Sequence, residues 1–517
     1  MTTHTTTNDR GSAAPTAIPL WLDQTLRGLA VGARAVAASS ALAVNVLQNV
    51  DRLVGDVLGD ASAVAADAQA LYLLLARRSD DIKLWWNASP RFARIVSDVL
   101  RIAAAYRVHA LRAEFLSPAA RAAATERLHR EQARRFHALC TELRGGLLKL
   151  GQFASTRVDL LPAPWVERLS ELQDRVPAVP YEVIAATIER ELGGSPDALF
   201  RAFEREPIAA ASLAQVHGAE LADGTRVVVK VQVPNVERDV DVDLTAFKLL
   251  APLLSELFPQ LDLVSISLEV DRAIREELDF AGEAQRASAF AARFEGHPSV
   301  RVPLVHFELT ARRVLTLERF DGERLVPFLE ECERRGAEGE RDRDRLFAAL
   351  IGSFCTQVLE HGAFHADPHP GNFLVLEEAR LAIFDFGSVV TYPPELRRAY
   401  AELATAVLGG SGAQVAELLE RLGFRARGED PQALAKMADV FLDVFRAQGG
   451  LDLANLDPEA EMKRLMSLVQ DNPVAHVPQH FVMLGRVFAS LGGLVFRFRP
   501  RVNFFGLIAP ALAAAYR

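Results

Sequence analysis

The spacing of apolar residues changes twice along the chain and predicts three regions. From about Trp21 to Val158, Ala, Leu and Val recur every three or four residues with charged residues between them, which predicts helices throughout. Short β-type runs follow from Ala198 to Val233, where Ala222–Thr225 predicts a hairpin turn around its Asp-Gly pair. From Pro393 to the C-terminus the pattern predicts helices only.

Between these regions the pattern predicts short helices and further strands. A helix over Tyr181–Leu192 is expected to end at the glycine pair that follows it, since glycine commonly caps helix C-termini. The other predicted helices are Trp165–Arg175, Pro234–Leu257, Leu268–Arg293 and 346–362, and the predicted strands are Val300–His306 and Arg313–Arg319. The sequence thus predicts an α+β protein with a helical leader, a small β-rich lobe and a larger helical lobe.

Charge and cysteine content narrow the class of partner and the compartment. The formal net charge is -9, and this acidic balance gives no reason to expect a nucleic-acid partner. The three cysteines, Cys140, Cys332 and Cys355, lie far apart without a CxxC pair. This arrangement indicates a reducing compartment rather than a disulfide framework or a zinc ribbon.

Targeting and membrane signals are weak. Residues 1–16 are polar and Thr-rich, without the basic start and apolar run of a signal peptide, and predict a disordered tail. The uncharged stretches 35–50 and 502–516 fall short of the roughly 20 apolar residues that span a bilayer. We therefore expect a cytoplasmic protein, with peripheral contact to a membrane surface left open.

Two motifs in the second half of the chain carry candidate chemistry. The loop His365–Asn372 places Asp367 five residues before Asn372, which is the spacing of the catalytic base and the metal-ligating amide in kinase catalytic loops. Thirteen residues later comes Asp385-Phe386-Gly387, whose carboxylate is suited to hold Mg²⁺. Alone, the second motif is better explained as a turn after a buried strand, and the first has the alternative explanation of a Pro-rich loop with two histidines. Their occurrence together, in this order, favours a phosphotransferase that binds ATP and Mg²⁺.

A lysine upstream fits the same chemistry. Lys230 closes the predicted strand that starts at Val227, as does the kinase lysine that reaches the nucleotide phosphates, although edge-strand lysines are common. It requires a carboxylate on the following helix, and the candidates are Glu276, Glu277, Asp279 and Glu283. Further along, Glu318 and Phe320 leave a strand where a kinase hinge would meet the adenine.

Four motifs over about residues 140–505 resemble the UbiB/ADCK family of atypical kinases. Lys149-Leu150-Gly151-Gln152 matches the family's KxGQ motif, and Ala209-Ala210-Ala211-Ser212 matches its alanine-rich loop, which replaces the glycine-rich nucleotide loop. Glu277-Leu278-Asp279 matches its ExD motif, and the catalytic loop with Asp385-Phe386-Gly387 completes the set. Alanine tolerates positive φ less freely than glycine, so phosphate placement by this loop is expected to differ from that in ordinary protein kinases.

The resemblance implies a bilobal protein-kinase-like fold and roles for individual residues. It implies that Lys149, with Gln152, reaches from the leader into the nucleotide site and meets Glu277 and Asp279. It also implies that Glu283 is the partner of Lys230. Ubiquinone or other prenyl-lipid metabolism is the implied setting, with quinone intermediates and lipid-biosynthesis proteins as partners. The implied segments are a disordered tail at 1–16, a helical extension at 17–120, a KxGQ segment at 121–195, an N-lobe at 196–320 and a C-lobe at 321–517.

Two other functions remain as hypotheses. One is a small-molecule kinase of the aminoglycoside or choline type, which shares a similar catalytic loop but has no reason to carry the KxGQ or alanine-rich motifs. The other is a nucleotide-gated scaffold that binds lipid, with Leu20–Leu58 as its working surface, although such periodicity more often marks helix packing. The first predicts turnover that a soluble alcohol or amino-sugar stimulates, and liposome flotation with and without nucleotide tests the second.

Overall fold

In a computed structural model of the protein, the described residues are 89–113, 115–155, 161–173, 178–257, 262–409, 411–426, 438, 474–476 and 478–517. The predicted tail 1–16, the surface Leu20–Leu58 and the greater part of the extension 17–120 lie outside these residues. Descriptions below refer to the described residues.

Fifteen helices and thirteen strands are labelled in chain order within this part of the chain. The helices are α1 Pro90–Ala113, α2 Pro118–Leu143, α3 Gly145–Ser155, α4 Ala163–Ser170, α5 Tyr181–Leu192, α6 Pro196–Leu199, α7 Val236–Leu257, α8 Leu263–Glu277, α9 Phe280–Arg293, α10 Leu325–Arg334, α11 Ala337–Cys355, α12 Pro394–Gly409, α13 Gly412–Arg421, α14 Gln479–Phe498 and α15 Phe504–Ala515. The strands are β1 Ala202–Phe203, β2 Ala209–Ala210, β3 Ala214–Glu220, β4 Arg226–Gln232, β5 Val300–Arg301, β6 Val314–Glu318, β7 Glu323–Arg324, β8 Ala363–His365, β9 Phe373–Leu376, β10 Arg380–Ile383, β11 Val389–Thr391, β12 Arg425–Ala426 and β13 Val474–His476.

The chain forms two compact units, and the described part of the first unit lies within residues 89–173 and 235–272. A buried ion pair joins its helices: Arg91 on α1 donates from Nε to Asp243 Oδ1 at 2.6 Å and from Nη2 to Oδ2 at 2.7 Å. The backbone N–H of Leu147 also donates to Asp243, at 2.8 Å, and Arg91 reaches the carbonyl of Leu143 at 2.6 Å. The pair therefore fixes α1, the α2–α3 junction and α7 at one point.

The second unit, 176–234 with 273–517, contains an antiparallel sheet in the order β1-β3-β4-β6, with β2 also paired to β3. Alternate residues of β4, Val227, Val229 and Val231, are fully buried against the apolar face of α5. Because successive strand side chains point to opposite faces, Lys230 lies on the other face of the sheet, beside α9.

The largest apolar core also belongs to the second unit. Phenylalanines of α9, α11 and β9 pack with helices α12 to α15 in one cluster. A four-stranded sheet in the order β5-β10-β9-β7 and a two-stranded pair β11-β8 lie at the motif loops. The result is an α+β, protein-kinase-like architecture, as the sequence predicts.

Most predicted elements are confirmed, and the differences have local causes. The predicted helix Leu268–Arg293 is wrong, because it breaks into α8 and α9 where Asp279 Oδ1 accepts a hydrogen bond from Gly282 N at 3.0 Å and caps α9. The predicted helix 346–362 ends as a π-helix over Thr356–His361. The all-helical prediction after Pro393 is wrong at β12 and β13, which pair with each other.

The helix predicted over Trp165–Arg175 is shorter in the structure, where α4 ends at Ser170 and a 3-10 turn over Glu171–Gln173 follows it. Among the helices that the structure describes, none combines the length and apolar character needed to cross a membrane. The segment boundaries at residues 120, 195 and 320 stay a prediction.

Candidate functional site

Lys230 lies at the centre of a cluster of charged side chains. Its ammonium donates to Glu283 Oε1 at 3.0 Å and Oε2 at 2.9 Å, and lies 3.9 Å from Asp385 Oδ2. It also sits 4.9 Å from the centroid of the Phe280 ring. Of the four carboxylates that the sequence offered as partners, Glu283 is the one that pairs with Lys230.

Burial and the neighbouring charges shift the pKa values of Lys230 and Glu283 in opposite directions. Burial opposes the charged form of Lys230, but the carboxylates of Asp385 and Glu283 outweigh it, so the pKa of Lys230 is raised. Burial raises the pKa of Glu283, and the Lys230 ammonium acts against that rise. Glu277 of the ExD motif adds to the negative field at Lys230. The lysine therefore remains a cation in the neutral pH range.

Asp367 and Asn372 are joined within the catalytic loop. Asn372 Nδ2 donates to the Asp367 carbonyl at 3.0 Å and lies 3.4 Å from Oδ2 of the same residue. Asp367 is exposed, with its side chain at the surface of the loop between β8 and β9. Its carboxylate is thus accessible to a second molecule.

Asn372 directly precedes β9, and Asp385 comes shortly after the end of β10. Because the two strands are antiparallel, both residues lie at the same end of the strand pair. Phe373 is paired with Ile383, and the N–H of Phe384 donates to the Asn372 carbonyl at 3.1 Å. Asp385 then adopts a positive φ of 69°, which turns the chain, and its Oδ1 accepts from Gly387 N at 3.1 Å. Strand register therefore brings the amide and the carboxylate of the two motifs to one edge.

Two residues that hold the loops together had no role in the sequence prediction. His365 is fully buried, its Nε2–H donates to the Asp385 carbonyl at 2.5 Å, and its Nδ1 accepts from Asp367 N at 3.2 Å. Gln357 Oε1 accepts from His365 N at 2.9 Å. Burial lowers the pKa of His365, so the neutral ring that these bonds require is favoured. His365 is the first residue of the motif and Gln357 precedes it, but their sequence spacing does not reveal these bonds.

Two more unpredicted contacts reach the loops from helices. Arg286 of α9 donates to the carbonyl of Phe386 at 2.7 Å and to that of Gly387 at 3.4 Å. Ser490 of α14 donates from Oγ to the carbonyl of Pro368 at 2.9 Å. The helix that carries Glu283 and helix α14 thus each fix one loop.

The alanine-rich segment forms one end of the β2–β3 hairpin rather than a free loop. Ala209 pairs with Val216 and Ala210 with Gln215, and Ala211 N donates to the Ala214 carbonyl at 2.8 Å. Ser212, in the turn, is buried. The segment is therefore a short strand and a turn whose backbone bonds are partly used within the hairpin, and its role as a nucleotide loop stays a prediction.

Of the predicted hinge residues, Glu318 is the last residue of β6 and Phe320 follows the strand. Glu318 N donates to the Leu304 carbonyl at 2.8 Å, and the Glu318 carboxylate accepts from Leu304 N and from Arg301, both at 3.2 Å. The guanidinium of Arg301 lies 5.6 Å from the centroid of the Phe320 ring. Contact of Glu318 or Phe320 with adenine stays a prediction.

The KxGQ residues lie in the first unit, on α3. Gln152 Nε2 donates to the Leu172 carbonyl at 2.8 Å, and Lys149 is half-buried. A Cβ at Gly151 would lie 2.5 Å from Leu172 Cδ1, so a larger residue at this position would displace the Leu172 side chain. Contact of Lys149 and Gln152 with the ExD pair stays a prediction.

Among the described residues, no group of three or more His, Cys, Asp or Glu side chains is placed to hold a metal ion. Asp385 and Asn372 offer two oxygen ligands at one edge, and the Asp385 side chain is 44% exposed. Hard oxygen ligands suit Mg²⁺, which is usually bound by one or two carboxylates with substrate phosphates and water. The pair fits Mg²⁺ that arrives with a nucleotide better than it fits a metal held by protein alone.

Comparison with known proteins gives a consistent assignment. Residues 171–419 match the model of the ABC1 atypical kinase-like domain. The chain is 35% identical over 365 residues to the Arabidopsis thaliana chloroplastic protein ACTIVITY OF BC1 COMPLEX KINASE 7, covering 70% of this chain and 51% of that protein. It is 30% identical to the uncharacterized Synechocystis protein slr1919, covering 74% of this chain and 67% of that protein.

The matches differ in how much of each protein they cover. The chain spans about half the length of ACTIVITY OF BC1 COMPLEX KINASE 7 and 39% of ACTIVITY OF BC1 COMPLEX KINASE 8 from the same plant. Among solved structures, Rv3197 of Mycobacterium tuberculosis in complex with erythromycin is similar in fold, with a TM-score of 0.51 at 24% identity, over 76% of this chain and 99% of that one. The motifs, the kinase-like fold and these matches together show that the chain belongs to the ABC1 atypical kinase-like family, the UbiB/ADCK family.

Proposed function

We propose that the protein is an Mg-ATP-dependent phosphotransferase or ATPase that serves ubiquinone or other prenyl-lipid metabolism. The observation that carries the proposal is the Lys230 ammonium, bonded to both oxygens of Glu283 and 3.9 Å from Asp385. A buried lysine bonded to a helix carboxylate and next to a loop carboxylate is the arrangement that kinases use to position nucleotide phosphates.

Each residue has a role that follows from its position. Lys230 is a fixed cation for the phosphates, and Glu283 holds it in place. The exposed carboxylate of Asp367 is suited to orient an acceptor hydroxyl or water and to accept its proton. Asn372 and Asp385 would hold Mg²⁺, which when bound supplies positive charge against the phosphate oxygens.

The alanine-rich hairpin is proposed to cover the phosphates. Its members are Ala209, Ala210, Ala211 and Ser212. Two of the alanines use their backbone in strand pairing with β3, so fewer N–H groups remain for phosphate than in a glycine-rich loop. Glu318 and Phe320, at the end of β6, are proposed to border the adenine.

The KxGQ and ExD residues are proposed to regulate the site. Lys149 and Gln152 would act together with Glu277 and Asp279, as the family resemblance implies. Glu277 already contributes to the field at Lys230, and Asp279 caps the helix that carries Glu283. A change at either ExD residue is therefore transmitted to the ion pair.

The link to prenyl lipids rests on the resemblance to the family. Relatives from Arabidopsis thaliana are named for the activity of the bc1 complex. A lipid or quinone intermediate, or a protein that handles one, is the proposed acceptor or beneficiary of ATP turnover.

Nucleotide binding is tested by thermal unfolding with ATP and with ADP, each with and without Mg²⁺. A ligand that binds only the folded state raises its stability by mass action, by about 2.7 kcal/mol at 100 times Kd. We expect an Mg-dependent rise in Tm for the wild type that is lost in Asp385→Asn. Asp197→Asn, an exposed position on α6, makes the same charge change outside the cluster and should keep the rise.

ATP hydrolysis by the same three proteins tests the chemistry. Asp385→Asn should abolish Mg-dependent turnover, and Asp197→Asn should not affect it. Turnover that survives in Asp385→Asn would refute the role of that residue. The absence of any nucleotide-dependent shift in the wild type would favour a scaffold without catalysis.

A further inference from the structure

A cavity of about 520 Å³ lies between α1 and α2 in the first unit. The two helices are held together beside it by a hydrogen bond of 2.8 Å between His109 Nε2 and Thr125 Oγ1, and by one of 2.8 Å between the Tyr106 hydroxyl and His129 Nδ1. None of the residues that line it belongs to the proposed nucleotide cluster.

The cavity is bordered by arginines. Four line it, and Arg101 is bonded to Asp98 at 3.2 Å. The other three, Arg112, Arg127 and Arg135, form no ion pair with a carboxylate of the described residues. Glu131 is the single acidic residue of the lining, so the lining keeps an excess of positive charge.

The wall between the arginines is apolar. Ala105 and Val108 of α1 face Leu128 of α2 across the cavity, and all three are only partly buried. The lining therefore combines an apolar surface with cations at its border. Such a combination favours a ligand with a negatively charged group and an apolar body, because each part of the ligand meets the matching part of the lining.

We propose that this cavity binds an amphipathic organic anion, a phosphate or carboxylate group joined to an apolar body. Arg112 and Arg127 contact the anionic group, and the Ala105–Val108–Leu128 wall contacts the apolar body. The site lies outside the Lys230 cluster, and the proposal does not depend on nucleotide binding or turnover.

The test is calorimetric titration of the full chain with octyl phosphate below its micelle concentration. Inorganic phosphate serves as the anion without a chain, and octyl glucoside as a chain without charge. We expect one octyl phosphate per chain, and binding of each control ligand at least about tenfold weaker, because each lacks one half of the contacts. Inorganic phosphate that binds as tightly as octyl phosphate would refute the amphipathic part of the proposal.

Variants assign the site to this cavity. Arg112→Gln combined with Arg127→Gln should weaken octyl phosphate binding at least tenfold, since charge-assisted hydrogen bonds are lost. Arg121→Gln combined with Arg130→Gln removes the same charge from α2 outside the cavity and should leave binding within about twofold.

A cavity-filling variant tests the apolar wall separately. Ala105→Phe places a ring in the cavity and keeps every arginine, and it should also weaken binding at least tenfold. Unfolding curves of all variants confirm that the chain is folded. An equal loss of octyl phosphate affinity in the two arginine double variants would overturn the proposal. So would wild-type affinity in both the Arg112→Gln/Arg127→Gln variant and Ala105→Phe.

Discussion

The Ser490 hydroxyl donates to the carbonyl of Pro368 at 2.9 Å, so helix α14 is fixed to the loop that carries Asp367. The two residues are 122 positions apart in sequence. Pro368 directly follows Asp367, so the bond from Ser490 fixes the Pro368–His369 peptide next to the proposed catalytic carboxylate. Ser490 is therefore a positioning residue for the proposed reaction.

Replacing Ser490 by alanine should lower the rate of ATP turnover more than it affects nucleotide binding. Loss of one neutral hydrogen bond costs about 1 kcal/mol, and misplacement of Asp367 should reduce kcat about threefold to tenfold with little change in KM for ATP. Ser490→Thr keeps the hydroxyl and should retain most of the rate. Steady-state kinetics of the two variants decide the matter, and an unchanged kcat in Ser490→Ala would contradict the positioning role.

Arg286 holds the loop that follows Asp385, as Ser490 holds the loop that carries Asp367. It donates to the carbonyls of Phe386 and Gly387, the two residues that follow Asp385. Arg286→Gln should raise the Mg²⁺ concentration needed for half-maximal turnover about tenfold, because Asp385 loses its fixed backbone. Arg293→Gln, on the exposed end of the same helix, is the matched control and should behave as wild type. Equal Mg²⁺ dependence in all three proteins would count against this role.

The Lys230–Glu283 pair should contribute strongly to stability as well as to binding. Their side chains are 19% and 2% exposed, so removal of the carboxylate leaves a largely buried ammonium without its bonded partner. Glu283→Ala should therefore lower the free energy of unfolding by about 3 kcal/mol and abolish the Mg-ATP-dependent rise in Tm.

Urea unfolding of Glu283→Ala can be compared with that of Glu171→Ala. The second variant breaks the surface pair between Arg168 and Glu171, whose side chains are 38% and 49% exposed. An exposed pair of this kind contributes less than about 1 kcal/mol. Similar losses of unfolding free energy in the two variants would show that the buried pair contributes no more to stability than the exposed pair.

The buried Arg91–Asp243 pair of the first unit gives a prediction about the free energy of unfolding that does not depend on nucleotide. Asp243 is 4% exposed and accepts from Arg91 and from the Leu147 N–H. Asp243→Ala removes the bonded carboxylate from the largely buried guanidinium and leaves the Leu147 N–H without an acceptor, so we expect a loss of about 3 kcal/mol in the free energy of unfolding. Asp239→Ala, one helical turn away and 45% exposed, should cost less than about 1 kcal/mol in the same urea titration.

Sequence spacing predicted the parts of the site that local backbone geometry determines. The Asp367–Asn372 spacing and the strand before Asp385 define a loop and a strand end, and both are found. The choice of Glu283 among four carboxylates came from the family resemblance, because helical periodicity alone leaves several candidates on a helix. The break at Asp279 was missed, since an aspartate within an apolar periodicity is equally compatible with a continuous helix.

Contacts between distant residues could not be predicted in this way. Ser490 with Pro368, and Arg286 with Phe386, depend on how α14 and α9 pack, and neither serine nor arginine has a motif around it. The strand pair β12–β13 joins residues almost 50 positions apart, and each strand is only two or three residues long. Such short runs leave no periodic signal in the sequence.

Buried histidines give the protein a predictable response to acid. His217 is fully buried in the sheet, its Nδ1–H donates to the Glu204 carbonyl at 2.9 Å, and its Nε2 lies 3.3 Å from the Gln215 amide nitrogen. Burial lowers the pKa of His217, although the Glu204 carbonyl acts in the opposite direction. The pKa is lowered in the same direction, with burial as the main cause, in His129, His137, His297, His361, His365 and His480.

These shifts predict that the free energy of unfolding falls as the pH drops below about 6.5, the ordinary pKa of an unfolded histidine. Below that pH the unfolded chain binds protons that the folded chain does not, so the fully buried His217 lowers the stability by up to about 1.4 kcal/mol between pH 7.5 and pH 5.5. His217→Gln cannot bind this proton in either state, so its loss over the same interval should be smaller than that of the wild type by about 1 kcal/mol, whatever its stability at pH 7.5. Urea unfolding of both proteins at the two pH values measures the difference. An equal loss in the two proteins would mean that His217 is protonated as readily in the folded chain as in the unfolded one.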